Sequence, residues 1–321
     1  MGKLAVIALG GNALLRDNQA GTIEEQERNT TETLENIIFL LREGYDLVLT
    51  HGNGPQVGNI LMRNDAGEQL YGIAQMPLDI CVADSQGGIG YMIERMLHNV
   101  LRRHGISRKV VTLVTEVVVD PQDKAFRKPE KRIGRICSRE EAGRLAREKG
   151  WVFREEIRDD ITGWRRVVPS PRPKRVLNAE IVEELARRGH IVIAAGGGGI
   201  PVYYDEEGMV RTVEAVIDKD LASSLLASAI GADEFYILTD VPYVYLNYKK
   251  ENQQMVEFLD RADSLRYLKE GMFGSGNMAP KIMAAVEFVE KGGEKSVITE
   301  ATRLEDKKYG TKITLHYDEH P

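Results

Sequence analysis

Apolar residues recur along this chain at two alternating periods. Short runs rich in β-branched residues give way to stretches in which apolar positions return every three or four residues. The first run, 4–9, predicts a buried strand. Thr22-Ile23-Glu24-Glu25 has the form of a capping box, and Leu34, Ile37, Ile38 and Leu41 follow on one helical face until Gly44. A strand ending at Thr50 comes next, then helices over 56–64 and 79–103 and one long strand over 109–119. After Asp120 the alternation lapses. Residues 121–135 are basic and hold Pro and Gly without a clear period, 138–149 reads as a short helix, and 164–168 as an exposed strand. The segment 121–173 therefore predicts an insertion, a small flap projecting from the main sheet. Regular alternation returns with helix 178–188, strand 191–195, a hairpin over 203–210, helix 218–230, strand 235–239, helices 262–270 and 279–291, and strand 296–299. This pattern predicts an α/β fold with a mostly parallel sheet.

Length and charge narrow the function classes. A chain of 321 residues is long enough for about two lobes around a large core. A net charge of -6 argues against nucleic acid as a partner. Cys81 and Cys137 lack paired spacing, which suggests a reducing compartment rather than a disulfide framework. The start enters a strand directly, without a signal peptide's apolar region, and no apolar run is long enough to span a membrane. The expectation is a cytoplasmic protein with no membrane partner.

Candidate chemistry lies where strands meet glycine. Val6-Ile7-Ala8-Leu9 runs into Gly10-Gly11-Asn12, Leu47-Val48-Leu49-Thr50 into His51-Gly52-Asn53-Gly54, and Ile191-Val192-Ile193 into a turn holding Gly196 to Gly199. Ligands of open α/β sheets bind outside the carboxyl ends of the strands, and bare backbone there lets a small anion approach the main chain. Neither G-x-x-x-x-G-K-[ST] nor G-x-G-x-x-G is completed, so a nucleotide must be held in another way. Positive charge comes from Lys219, between Asp218 and Asp220 at a helix start, and from Lys281, which follows Pro280 and so falls in a first helical turn. A cation there opposes the helix dipole unless a polyanion binds. Asp218 or Asp220 could orient the lysines or hold magnesium. The six histidines form no metal-ligand spacing, and no Ser/His/Asp or Cys/His arrangement is legible. Phosphoryl transfer to an ionised acceptor needs no general base, only positioning, lysines and backbone N–H groups.

The motifs together resemble the carbamate kinase family. Ala8 to Leu15, Thr50 to Gly58, Ser85 to Tyr91, Val168 to Pro171, Ala194 to Pro201, Val216 to Asp220 and Leu238 to Val241 carry the resemblance, in the family's order. The His-Gly-Asn-Gly form at 51–54 favours this family over its acetylglutamate, aspartate and uridylate kinase relatives. The resemblance implies an amino-acid-kinase fold, a three-layer α/β/α sandwich, usually in a homodimer. It implies reversible transfer from ATP to carbamate, with Mg2+ carried on ATP or ADP and no dedicated metal site. Residues 1–215 would form the acceptor lobe with its flap, and 216–321 the nucleotide lobe. Gly10, Gly11 and Asn12 would face the transferred phosphoryl group. Gly52, Asn53, Gly54, Gly197 and Gly198 would cradle carbamate or carbamoyl phosphate. Lys219 would bridge donor and acceptor, oriented by Asp218 and Asp220, and Lys131 on the flap would close over the site. Lys281, Thr239, Asp240 and Met278 would lie at the nucleotide.

Two stretches depart from the family's pattern. At 130–138 the usual T-K-P-(I/V)-G-P-F-Y-S keeps only Lys131, Ile133-Gly134 and Ser138, and Arg135-Ile136-Cys137 replaces a proline and two aromatics. At 276–281 the usual G-S-M-G-P-K has Asn277 and Ala279, which predicts altered nucleotide affinity. A kinase for another small carboxylate or phosphonate, or a lapsed nucleotide-binding regulator, therefore stands beside the leading reading.

Overall fold

The computed structural model describes residues 2–16, 19–158, 161–273, 278–306 and 309–316. The chain begins with β1 (Leu4–Leu9), α1 (Ile23–Glu35), α2 (Ile38–Arg42), β2 (Asp46–His51), α3 (Gly54–Tyr71) and α4 (Leu78–Arg103). It continues through β3 (Val110–Thr112), β4 (Glu116–Val119), β5 (Lys131–Cys137), α5 (Arg139–Lys149), β6 (Val152–Arg158), β7 (Ile161–Val168) and β8 (Pro173–Val176). Then come α6 (Ala179–Arg187), β9 (Ile191–Ile193), β10 (Ile200–Tyr204), β11 (Val210–Thr212), α7 (Lys219–Ala229) and β12 (Glu234–Thr239). The hairpin β13 (Val244–Leu246) and β14 (Gln254–Val256) precedes β15 (Phe258–Asp260), α8 (Arg261–Lys269), α9 (Met278–Glu290), β16 (Lys295–Glu300) and β17 (Thr311–Thr314).

Eight strands form the central sheet in the order β15-β17-β16-β12-β1-β2-β9-β3. All neighbours from β3 through β16 run parallel, and among the described residues of this sheet only the β16–β17 pairing is antiparallel. β1 shows why this becomes a three-layer α/β/α sandwich. Every one of its residues is buried, and the strand's period of two divides them between two cores. Leu4, Val6 and Ala8 pack with Val182 of α6, Leu226 of α7 and Val286 of α9. Ala5, Ile7 and Leu9 pack with Leu34 of α1, Leu41 of α2 and Ile93 of α4. A parallel strand buried on both faces reads as a continuous apolar run, as 4–9 does.

Several elements differ from the sequence expectation. The long strand expected over 109–119 is two strands: β3 pairs with β9 in the main sheet, and β4 pairs with β8 and β10 in a second sheet. The first helix breaks at Asn36-Ile37 into α1 and α2. α3 continues beyond Asn64 to Tyr71, where Gly72 ends it in the left-handed region at φ 65°. The flap expected over 121–173 contains a three-stranded sheet, β5-β7-β6, with α5 against it. The strand expected to be exposed at 164–168 is the end of β7, the middle strand of that sheet, and Val167 and Val168 are buried. Helix α3 meets the flap backbone to backbone, since a Cβ on Gly58 would lie 1.9 Å from Gly134 Cα. Both cysteines are buried and free. Among the described residues, no helix is long and apolar enough to cross a membrane.

Candidate active site

The three glycine turns lie at the carboxyl ends of the adjacent strands β1, β2 and β9. After β1 the backbone tightens into a single turn over Gly11–Ala13, which includes Asn12. Gly10 is confined by its neighbour strand, because a Cβ there would lie 2.4 Å from the Leu238 carbonyl oxygen. Gly11 is exposed, and a Cβ on it would meet no atom of the described residues within 4 Å apart from its chain neighbours. The chain itself does not require glycine at 11, so its bare backbone is available to a ligand.

After β9 the reason for glycine is different. Ala195 and Gly197 adopt φ of 50° and 65°, and Gly198 and Gly199 also have positive φ. A Cβ on Gly196 would lie 2.3 Å from His51 Nε2, and one on Gly197 would lie 2.1 Å from Asn53 Nδ2. The sequence reading assigned this bare backbone to ligand approach. In the structure, the His51 and Asn53 side chains of the neighbouring turn fill the space a Cβ would take at Gly196 and Gly197, so close packing of two turns is a further reason for glycine at those two positions. Asn53 is correspondingly turned inward: its Nδ2 donates to Ser85 Oγ at 2.8 Å, and the residue is 3% exposed. His51 is buried, and its Nδ1 donates to the Gly52 carbonyl at 3.0 Å. Burial pushes the imidazole down to about 4; the Gly52 contact opposes this and the Lys219 charge adds to it.

The lysines gather where α7 begins. Asp218 caps the helix, with Oδ1 accepting the N–H groups of Asp220 at 3.0 Å and Leu221 at 3.4 Å. Its Oδ2 accepts Lys131 Nζ from the flap at 2.7 Å. Asp220 Oδ1 accepts Lys219 Nζ at 2.6 Å, and its Oδ2 accepts Lys281 Nζ from α9 at 2.8 Å. Three lysines drawn from distant parts of the chain thus share two carboxylates, leaving positive charge in excess. Burial alone would raise both carboxyl groups. Lys131 overcomes it at Asp218, and Lys219 and Lys281 overcome it at Asp220, so both stay below the usual carboxylate range. The lysines diverge: burial holds Lys219 below its ordinary value, whereas Asp220 overcomes burial at Lys281 and holds it above. An arriving anion would stabilise the charged form of Lys219.

Gly52 adjoins this cluster, because a Cβ there would lie 3.8 Å from Lys219 Cδ. Gly198 sits against Ile217, immediately before Asp218. Gly54 opens α3 behind Asn53. Beside the cluster is a cleft of about 620 Å³, lined by Gly10, Gly11, Thr239, Asp240 and Lys281 and bounded by Arg16. Thr239 Oγ1 donates to Asp240 Oδ1 at 3.0 Å. All four oxygens of Asp218 and Asp220 already accept a lysine or a backbone N–H, so these carboxylates suit orienting lysines rather than ligating magnesium. No group of three or more potential metal-ligating side chains occurs among the described residues.

Met278 packs in part against the core cluster shared by α7 and α9. One expectation is not met at the nucleotide end. Helix α9 starts at Met278, so Pro280 is its third residue rather than its first, although Lys281 remains in the first turn. Asn277 and its expected cap lie outside the described residues. Sequence reasoning also gave no role to Ser85, Gln86 or Thr115, which brace the turns from behind. Ser85-Gln86 was visible as part of a motif, whereas Thr115 lay unmarked inside an apolar run.

Strand-end turns, convergent lysines and an open cleft together suit phosphoryl transfer. The model of the amino acid kinase family matches residues 3–300. The carbamate kinase of Pyrococcus furiosus is 48% identical over 316 residues, covering 98% of this chain and 99% of the relative. Carbamate kinase from Giardia lamblia bound to citric acid superposes with a TM-score of 0.90 at 39% identity, covering 98% of each chain. The same Giardia enzyme bound to AMP-PNP gives 0.88 at 40% identity, again covering 98% of each chain. The chain belongs to the amino acid kinase family and, within it, to the carbamate kinases.

Proposed function

We propose that the protein catalyses the reversible reaction of ATP with carbamate to give ADP and carbamoyl phosphate. A carbamate oxygen attacks the γ-phosphorus in line as the bond to the β,γ-bridging oxygen breaks, and the electron pair leaves on ADP. The acceptor is already an anion, so no side chain need remove a proton. The demand is for charge and alignment around a loose transition state. Magnesium enters as part of the nucleotide substrate and neutralises phosphate charge.

Lys219, oriented by Asp220, bridges donor and acceptor oxygens. Lys281 binds nucleotide phosphates, and the backbone of Gly10, Gly11 and Asn12 receives the transferred group. Gly52, Asn53 and Gly54, with Gly197 and Gly198, form the carbamate cradle by their backbone, and Thr239 and Asp240 border the nucleotide. The strands contributed by residues 1–215 carry the acceptor side, and those of 216–321 the nucleotide side. The observation that carries this reading is the shared contact of Lys219 and Lys281 with Asp220, at 2.6 and 2.8 Å, beside the bare Gly10-Gly11 turn. The altered flap still delivers Lys131 to within 2.7 Å of Asp218, which supports turnover over a lapsed regulator. The proposal extends to a cytoplasmic homodimer, to which the exposed Leu70, Tyr71 and Ile73 offer an apolar surface.

Purified protein given ADP, magnesium and carbamoyl phosphate is expected to form ATP. A yield no greater than that of a protein-free control overturns the reading.

A further inference from the structure

Ala195 is fully buried and holds φ 50°, ψ 34° despite its Cβ. That conformation costs a non-glycine residue roughly 1–2 kcal/mol and persists only where its surroundings impose it. The imposing residue lies outside the turn. Thr115, in the link between β3 and β4, accepts the Ala195 N–H on Oγ1 at 3.0 Å. Its carbonyl accepts the Ile200 N–H at 2.9 Å. These two N–H groups flank the four glycines, so one residue ties both ends of the turn. Thr115 Oγ1 donates its own hydrogen bond to the Leu113 carbonyl at 3.0 Å, which fixes the rotamer that faces Ala195.

Thr115 is itself held from α4. Gln86 Oε1 accepts the Thr115 N–H at 2.8 Å, and Gln86 Nε2 donates to the Thr115 carbonyl at 3.1 Å. The two residues are 4% and 1% exposed, so neither is placed to touch a substrate. A chain of contacts therefore runs from α4 through Thr115 to the turn that packs on His51 and Asn53. Four glycines in succession would otherwise be the loosest backbone in the site, because each loses the most conformational freedom on ordering.

We infer that Thr115, backed by Gln86, is a positioning residue that sets the geometry of the 195–200 turn and thereby the affinity for the acceptor. The inference rests on the reading of that turn as part of the acceptor cradle. It predicts an effect on one substrate only. Thr115→Val keeps the shape of the side chain and removes the hydroxyl, whereas Thr115→Ser keeps the hydroxyl.

Kinetics in the ATP-forming direction, joined to amide hydrogen exchange over 195–200, test the inference. Thr115→Val is expected to raise the carbamoyl phosphate KM about tenfold, the equivalent of one lost buried hydrogen bond. The ADP KM should stay unchanged and exchange at Ala195 should accelerate, with Thr115→Ser restoring both. In an Ala195→Gly background, where the left-handed conformation carries little cost, the valine effect should shrink. Equal changes in both KM values, failure of serine to rescue, or unaltered exchange would overturn the inference. A wild-type protein that forms no ATP, yet shows the hydroxyl-dependent exchange, defeats the acceptor reading while leaving the tie supported.

Discussion

Lys219 and Asp220 are neighbours in sequence but differ in how many partners their removal leaves alone. Without Lys219, Asp220 still holds Lys281 at 2.8 Å, so no buried charge is stranded. Without the Asp220 carboxylate, two ammonium groups that are 12% and 10% exposed lose the acceptor they share. Lys219→Met should therefore lower kcat by about 10²–10³-fold, the loss typical of one preorganised electrostatic group, with little change in stability. Asp220→Asn should cost about 3–5 kcal/mol of stability as well as activity, because breaking a buried ion pair leaves uncompensated charge. Initial rates and urea unfolding on both variants check this. Equal destabilisation by the two substitutions would contradict the partner count. The lysines were legible because each sits near a helix start, where a cation is out of place. Asp218 and Asp220 were legible as candidates to orient them; that Asp220 holds both at once was not, since Asp220 and Lys281 stand 61 positions apart.

At the scale of elements, legibility followed how far local pattern decides structure. The central strands were readable because burial on both faces leaves continuous apolar runs, as in 4–9. The division of 109–119 into β3 and β4 was hidden, because Val110 to Val119 remains rich in β-branched residues across the break. Different partners divide it: β9 claims Val110 to Thr112, while β8 and β10 claim the residues after Thr115. The far end of α3 was hidden for the opposite reason. Leu70 and Tyr71 are 73% and 78% exposed, so no apolar face marks the helix there. The flap strands were obscure because their order, β5-β7-β6, is set by pairing across the insertion. The contact of α3 with that flap has a consequence for the site. A Cβ at Gly58 would stand 1.9 Å from Gly134 Cα and must push β5 away, and β5 begins with Lys131. Gly58→Ala should therefore cost about 1–3 kcal/mol of overpacking and also lower kcat, by drawing Lys131 away from Asp218. A variant that loses stability but keeps its full kcat would separate the flap from the reaction.

For the molecule as a whole, acid should act in two stages, because two kinds of buried group resist protonation. His51 has a folded value pushed down to about 4, against an ordinary 6.5. Between those values the unfolded chain binds the proton and the folded protein does not, so stability rises with pH across the window and is lost as pH falls through it. A separation of this size corresponds to about 3 kcal/mol, most of it gone by the time pH reaches the folded value. The depressed carboxyl groups of Asp218, Asp220 and Glu234 act lower. Their stabilisation is complete above the ordinary carboxylate range and falls away only as pH drops below it. Glu234 lies in β12, where it receives the Tyr45 and Tyr236 hydroxyls and the Lys295 ammonium, so this second loss is not confined to the site. His51→Asn separates the stages, since an amide can donate from the Nδ1 position to the Gly52 carbonyl but does not titrate. Urea unfolding of wild type and variant at several pH values between 6.5 and 4 should give a falling curve for wild type and a flatter one for the variant. The two should steepen together at lower pH. Parallel curves through the upper window would mean that His51 is not the group held neutral, and that the contact between the His51 and Gly196 turns sets no proton equilibrium.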